Sequence, residues 1–270
     1  MIDLYDCIVI GAGPAGHSAA LFLARYRRHA LVFHHNSPRN LYSHGVHGFL
    51  GRHGILPVDL LARGRDEVRI HGGLIVEGRV TKAERVEDDH FRVTVGEDGG
   101  ASASQTFDAR RLLLATGLRD VKPDLPGFSE FYGLSVFHCP DCDGYEVSDK
   151  RVAVLGAGRK AVAFTLGLLT WTDRLTLITG DGEEEIGDED REKLASFDIP
   201  VLDRSVFHNI LYSQRIFAPE PDYLPRFFSV SNPEKVAGRL LPATDRDCIA
   251  RGRITTTAEP TRLSTSNRTA

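Results

Sequence analysis

Three things are scarce in this chain: long apolar runs, cysteines in a framework spacing, and an excess of positive charge. No apolar stretch is long enough to span a bilayer. The net charge of −4 argues against a nucleic-acid binder. Four cysteines without framework spacing suit a reducing compartment, where a C-x-x-C is catalytic rather than a staple. The N-terminus opens directly on a strand-like segment, Leu4 to Ile10, with no charged n-region before a cleavable apolar core. The expectation is a cytoplasmic protein that neither crosses a membrane nor binds nucleic acid. What is present is ordinary: 270 residues, 41% hydrophobic and 26% charged, enough for one large or two ordinary domains with ample core.

Cys139-Pro140-Asp141-Cys142-Asp143-Gly144 is the stretch that organises the rest. Two cysteines at this spacing can close a small reversible disulfide ring. Pro140 suits the first position of a helix, and a helix N-terminus at Cys139 would lower its thiol pKa. Structural zinc sites use the same spacing, but they need a second pair or a histidine partner at finger spacing. None follows; Cys7 and Cys248 are far away in the chain. The redox reading is preferred, because the stretch lies between two nucleotide-binding signatures.

The first signature runs from the apolar Asp6-Cys7-Ile8-Val9-Ile10 into Gly11-Ala12-Gly13-Pro14-Ala15-Gly16. Ala19, Phe22, Leu23 and Tyr26 follow at helical spacing, and Ala30-Leu31-Val32-Phe33 reads as a second strand. Strand, glycine turn, helix and strand come in the order of a dinucleotide fingerprint. Gly11 allows the tight turn, Gly13 lets backbone approach a pyrophosphate, and Gly16 lets helix and strand pack closely. The acid expected at the end of the second strand is missing. His34 stands there, followed by His35 and Asn36. His34 or Asn36 can bond a ribose only without charge assistance, so weaker cofactor binding is expected.

Residues 36 to 75 carry His44, His47, His53 and His71 among glycines. With no carboxylate or cysteine at ligand spacing, surface or cofactor-lining histidines are expected there, and no metal. Leu74 to Val95 alternates, with Phe91, Val93 and Val95 on one face, and Glu97-Asp98-Gly99-Gly100 supplies a turn. This predicts a small antiparallel sheet inserted in the α/β domain. Arg111 to Gly117 reads as a buried strand ending in a glycine turn. The second signature is Val152-Ala153-Val154-Leu155 followed by Gly156-Ala157-Gly158-Arg159-Lys160-Ala161, a helix to about Thr170 and a strand at Leu175–Thr179. Two such units flanking a C-x-x-C describe a relay from nicotinamide to flavin to cysteine pair. Gly180-Asp181-Gly182-Glu183-Glu184-Glu185 would repel a 2′-phosphate, while Asp181 could bind the ribose of NADH; a solvated acidic loop is the alternative.

These residues resemble the low-molecular-weight thioredoxin reductase family of pyridine nucleotide–disulfide oxidoreductases. The chain is more closely similar to its bacterial thioredoxin-reductase-like branch and to fungal dithiol oxidases of the gliotoxin type. The likeness rests on residues 11–16, Pro38-Arg39-Asn40, His47-Gly48-Phe49-Leu50-Gly51, Ala115-Thr116-Gly117, His138 to Glu146 and Gly156 to Ala161. It covers residues 1 to about 203. It implies an α/β fold with two Rossmann-like dinucleotide-binding domains of three-layer ββα type. Residues 1–117 would open the FAD domain, 118–203 would form the NAD(P) domain carrying the cysteines, and 204–270 would be a divergent tail. It implies FAD, NADPH or NADH, a homodimer, and a thioredoxin-like protein or small disulfide or dithiol as partner. Cys142 would be the flavin-proximal sulfur, Cys139 the interchange thiol and Asp143 the acid/base. The implied cofactor residues are Gly11, Gly13, Pro14, Ala15, Gly16, His34, Asn40, Thr116 and Gly117, with Gly156, Gly158, Arg159 and Ala161 at the second site.

After Asp203 the chain departs from this pattern. Residues 1–203 hold 23 Lys+Arg against 31 Asp+Glu, and residues 204–270 hold 10 against 6. The last thirty-odd residues lack aromatics and repeat Thr, Ser and Arg, a disordered composition. The Gly-Asp pair that contacts the flavin ribityl chain in the family is not found after Gly187-Asp188. The chain reads as several tens of residues short, with a frameshift near residue 204 preferred over a natural short variant. Poor or absent FAD binding is the expected consequence. A disulfide reductase is the leading reading, ahead of an oxygen-using dithiol oxidase and an inactive remnant.

Overall fold

Asp6 splits the opening apolar run into two strands, β1 (Leu4–Tyr5) and β2 (Cys7–Ile10), by accepting the His29 N–H at 2.8 Å. The computed structural model describes residues 4–96, 104–125, 128–179 and 185–202, with the backbone of 226–229 and 234–235. In the first unit the chain continues through α1 (Pro14–Arg25), β3 (Ala30–His34), α2 (Pro57–Ile70) and β4 (Leu74–Glu77). Three further strands, β5 (Val80–Glu87), β6 (His90–Val95) and β7 (Gln105–Ala109), precede β8 (Leu112–Leu114).

β2 is buried along its whole length because it is a central strand of a parallel sheet ordered β4-β3-β2-β8. One face of that sheet packs Cys7, Val9 and Val32 against Ala20 of α1 and Val68 of α2. The other packs Ile8, Ile10, Leu31 and Phe33 against Val80, Ala83 and Val93 of an antiparallel sheet. This is the expected three-layer arrangement. Ile8, Val9, Leu31, Val32 and Phe33 are at most 1% exposed. At roughly 2 kcal/mol for each buried side chain, β2 and β3 are firmly held, so the turn after β2 starts from a fixed point.

The insertion differs from expectation at its start. Leu74–Glu77 is the outer strand of the parallel sheet, paired with β3, and not part of the antiparallel sheet. The helical crossover α2 carries the chain back parallel to β3, and antiparallel pairing begins only at Val80. The 112–114 strand is half-buried, because it lies at the sheet edge.

Between the units run β9 (Leu118–Arg119), α3 (Phe128–Phe131), β10 (Val136–Phe137) and α4 (Pro140–Asp143). The second unit follows with β11 (Val152–Leu155), α5 (Gly158–Gly167), β12 (Leu175–Ile178), α6 (Asp188–Ala195) and β13 (Val201–Leu202). Two short strands come from the segment beyond, β14 (Arg226–Ser229) and β15 (Glu234–Lys235). The second sheet is parallel and ordered β10-β14-β11-β12-β13. β14 sits between β10 and β11, so this sheet extends past the boundary expected at residue 203. β15 pairs antiparallel with β9. Composition averaged over 204–270 hides a four-residue strand. The turn at 97–100, the acidic residues 180–184, Cys248 and the remaining tail, with the frameshift and disorder expectations, lie outside the described residues.

Candidate active site

Gly13 is the N-cap of α1 and Pro14 its first residue, with no side chain capping the end. The first amide bonded within the helix is that of His17, to the Gly13 carbonyl at 2.9 Å. The N–H groups of Ala15 and Gly16 are therefore free for a ligand. Gly11 has φ +107°, and a Cβ there would lie 2.3 Å from the Ala115 carbonyl oxygen. A Cβ at Gly16 would lie 1.8 Å from the Gly11 carbonyl oxygen. The structure thus brings Gly11, Gly16, Ala115 and Thr116 into one tight contact beside Gly117, while the face of Gly13 is open. His34 ends β3; burial and then Arg65 push its pKa down, with Glu77 and Asn36 opposing more weakly, so it is neutral. His17, which the sequence did not single out, is buried beneath Gly64 with neither ring nitrogen hydrogen-bonded. Burial, then Arg65 and His34, lower its pKa to about 4.

At the second fingerprint the Gly156 N–H bonds the Ile178 carbonyl, and α5 starts at Gly158 from an uncapped Ala157. Ala161 is fully buried in the core under β11 and β12, where only a small side chain lets helix and strand approach. Arg159 is exposed and reaches toward Asp190 of α6, Nε to Oδ2 3.6 Å.

Cys139 and Cys142 are joined to each other as a disulfide, Cα to Cα 5.2 Å. Cys139 is the N-cap of α4, and its carbonyl accepts the N–H groups of Cys142 and Asp143, both at 3.1 Å. The helix is a single turn, so the dipole at Cys139 is weaker than that of a full helix. A Cβ on Gly144 would meet the Trp171 ring at 2.7 Å, so the indole backs the cysteine turn directly. Cys139 is half-buried and Cys142 exposed.

Asp143 is the perturbed acid beside the pair. Burial raises its pKa to about 6, with Glu146 adding to the rise and His47 opposing it. His47 Nδ1 lies 3.3 Å from Glu146 Oε1 but is not aligned for a hydrogen bond. His47 Nδ1 and Glu146 Oε2 are buried without a hydrogen-bond partner. His53 packs on His47, ring centroids 5.0 Å apart. Among the described residues no group of three His, Cys, Asp or Glu side chains converges as a metal site.

A second polar cluster joins the two units. Arg39 makes bidentate hydrogen bonds to Asp120, at 2.7 to 3.1 Å. The Tyr132 hydroxyl donates to Asp120 at 2.9 Å and lies 2.8 Å from His138 Nδ1. Burial would raise the Asp120 pKa, but Arg39, His138 and Tyr132 outweigh it and hold the carboxyl below its ordinary value. Burial, then Asp120, raises the Tyr132 pKa. Tyr132 points its one hydroxyl proton at the ionised Asp120, so His138 donates its Nδ1–H to the Tyr132 oxygen, while its Nε2 lies 3.8 Å from Asp120 Oδ2. Burial lowers the His138 pKa. Lys122 Nζ caps this cluster, 4.4 Å from the Tyr42 ring centroid and 4.0 Å from that of Tyr132. Asn40 lies on the same loop as Arg39, its carbonyl accepting the Ser43 N–H. Of these partners the sequence pointed only to Arg39 and His138, because contacts 81 residues apart leave no local signal.

Residues 5–193 match the family model described as pyridine nucleotide-disulphide oxidoreductase. The chain is 35% identical over 159 residues to thioredoxin reductase tcpT of Claviceps purpurea, covering 58% of this chain and 48% of the relative. It is 30% identical over 181 residues to a thioredoxin reductase of Helicobacter pylori, covering 65% and 55%. Among solved structures it is similar to the crystal structure of HlmI, with TM-score 0.73, 35% identity, and coverage of 87% of this chain and 74% of that one. A putative thioredoxin reductase TrxB from Bacillus anthracis gives TM-score 0.70 at 25% identity, covering 86% and 77%. The chain spans about half the length of the curated relatives it matches. With the family model matched over most of the chain, and both fingerprints and the cysteine pair inside the matched stretch, the chain belongs to the pyridine nucleotide-disulphide oxidoreductase family.

Proposed function

We propose that this chain is a thioredoxin reductase-like flavoprotein that passes electrons from NADPH or NADH through FAD to Cys139–Cys142 and on to a disulfide substrate. The observation that carries the reading is a disulfide one turn from a half-buried carboxyl of raised pKa, on a chain with two uncapped fingerprint helices. The first fingerprint fits the FAD diphosphate: Gly13 is open, and the Ala15 and Gly16 amides have no helical acceptor. Thr116 and Gly117 border that turn, and Gly156, Gly158 and Ala161 form the corresponding nicotinamide site. FAD, when bound, supplies the two-electron step between nicotinamide and cysteine pair.

The reduced pair acts by thiol–disulfide exchange. The Cys139 thiolate attacks one sulfur of the substrate disulfide, forming a mixed disulfide and releasing one substrate thiolate. Cys142 then attacks Cys139, re-forming the internal disulfide and releasing the second thiolate. Two electrons pass from the pair to the substrate. Asp143, next to Cys142 in the chain and with a pKa of about 6, exchanges its proton close to neutral pH and can donate it to a departing sulfur from the protonated fraction. A thioredoxin-like protein or small disulfide is the substrate class, the working unit is a homodimer, and a reducing cytoplasmic compartment suits a disulfide that turns over.

One observation favours the reverse direction, oxidation of a dithiol with oxygen as final acceptor. His138, next to Cys139 in the chain, is an imidazole whose pKa burial lowers, a base of the type that takes a thiol proton. The test supplies excess FAD. Oxidation of NADPH or NADH coupled to reduction of a thioredoxin disulfide supports the reductase; oxygen uptake driven by a small dithiol selects the oxidase. Neither activity, with flavin bound, overturns both.

A further inference from the structure

The first fingerprint lacks the strand-end acid that holds a dinucleotide ribose, since His34 occupies its place. The sheet offers another carboxylate at the same edge. β3 and β4 are parallel and in register, pairing Val32 with Ile75 and His34 with Glu77. The pairing persists to the strand ends, where the Gly78 N–H bonds the His34 carbonyl at 2.8 Å. Val32 and Ile75 both face the helix layer. Side chains alternate along a strand, so His34 and Glu77, two residues on, also face the helix side, at the carboxyl edge where α1 begins. His34 lies within electrostatic reach of Glu77, and Arg65 of α2 faces the same place. Glu77 is exposed. Neighbouring strands are about 4.8 Å apart, and a glutamate has one more methylene than aspartate with which to reach across.

We infer that Glu77 is the carboxylate that accepts the adenosine ribose hydroxyls of the dinucleotide at the first fingerprint, supplied from β4 in place of β3. His34 is then a ribose-facing neighbour and not the principal acceptor. This assignment rests on reading the first fingerprint as the FAD site.

The test titrates the full chain with FAD, with ADP, and with the dideoxy analogue of ADP that lacks both ribose hydroxyls. Wild type should prefer ADP over the dideoxy analogue by roughly ten- to hundredfold, the worth of a charge-assisted hydrogen bond. Glu77→Gln should erase that preference and weaken FAD by the same factor, and adding His34→Asp to Glu77→Gln should restore it. If FAD and ADP bind but Glu77→Gln keeps the preference, the assignment of Glu77 is overturned while the FAD-site reading stands. If neither FAD nor ADP binds wild type, the site reading falls and takes the assignment with it.

Discussion

Asp143 has its proton affinity set by burial, and this gives a sign that can be measured. Its folded pKa of about 6 stands above the ordinary 3.8. The folded state therefore holds more protons than the unfolded one between those values, and stability falls as pH rises from about 4 to 6. Asp143→Asn should stabilise the oxidised protein at pH 7 by about 1–2 kcal/mol after allowance for partial exposure, with no gain at about pH 4. Urea unfolding at the two pH values checks this, and equal gains at both would contradict it. The same variant should slow thiol–disulfide exchange by about a hundredfold if the carboxyl is the proton donor. Cys142→Ser should accumulate a mixed disulfide with a small aromatic disulfide through Cys139, visible by mass, whereas Cys139→Ser should not. The cysteine pair was legible in the sequence because both residues share one turn, whereas Asp143 entered only through the family resemblance, since the burial that raises its pKa leaves no local signal. His47 was legible only as one of several loop histidines, and its pairing with Glu146 was not, because their meeting depends on how the 41–56 loop reaches the cysteine turn.

The β2–α1–β3 element was read from the sequence almost to the residue, since an apolar run, a glycine turn and helical spacing are all local signals. Its tightest point is Gly16, whose missing Cβ leaves room for the Gly11 carbonyl. Gly16→Ala should cost about 1–3 kcal/mol, as overpacking does, and should lower FAD affinity because the phosphate-facing turn has to move. Thermal unfolding and a flavin titration together check it; an unchanged affinity with a lowered Tm would separate packing from the site. β4 was misread as part of the antiparallel insertion, because apolar alternation does not report whether a strand's partner is parallel or antiparallel. β14 was hidden for a different reason: its pairing with β10 and β11 bridges long stretches of chain.

Asp120 is the point where the first unit is tied to the rest of the chain, with Arg39 from the first unit and Tyr132 and His138 from the segment leading into the second. Its side chain is 5% exposed, so removing Arg39 leaves a buried charge short of a partner. Arg39→Ala should destabilise by about 2–3 kcal/mol, and Arg39→Lys should recover little of it because lysine cannot form the fork. Denaturant unfolding of both variants checks this. The central claim for the molecule is that Cys139 and Cys142 are a reversible two-electron couple. The most direct measurement equilibrates the purified chain in dithiothreitol buffers of graded potential, traps thiols with a maleimide and counts them on the 139–142 peptide by mass. The account predicts that both cysteines convert together, from no adduct to two, with no metal bound. Both sulfurs trapped at every potential, or protected by one zinc per chain, would contradict it.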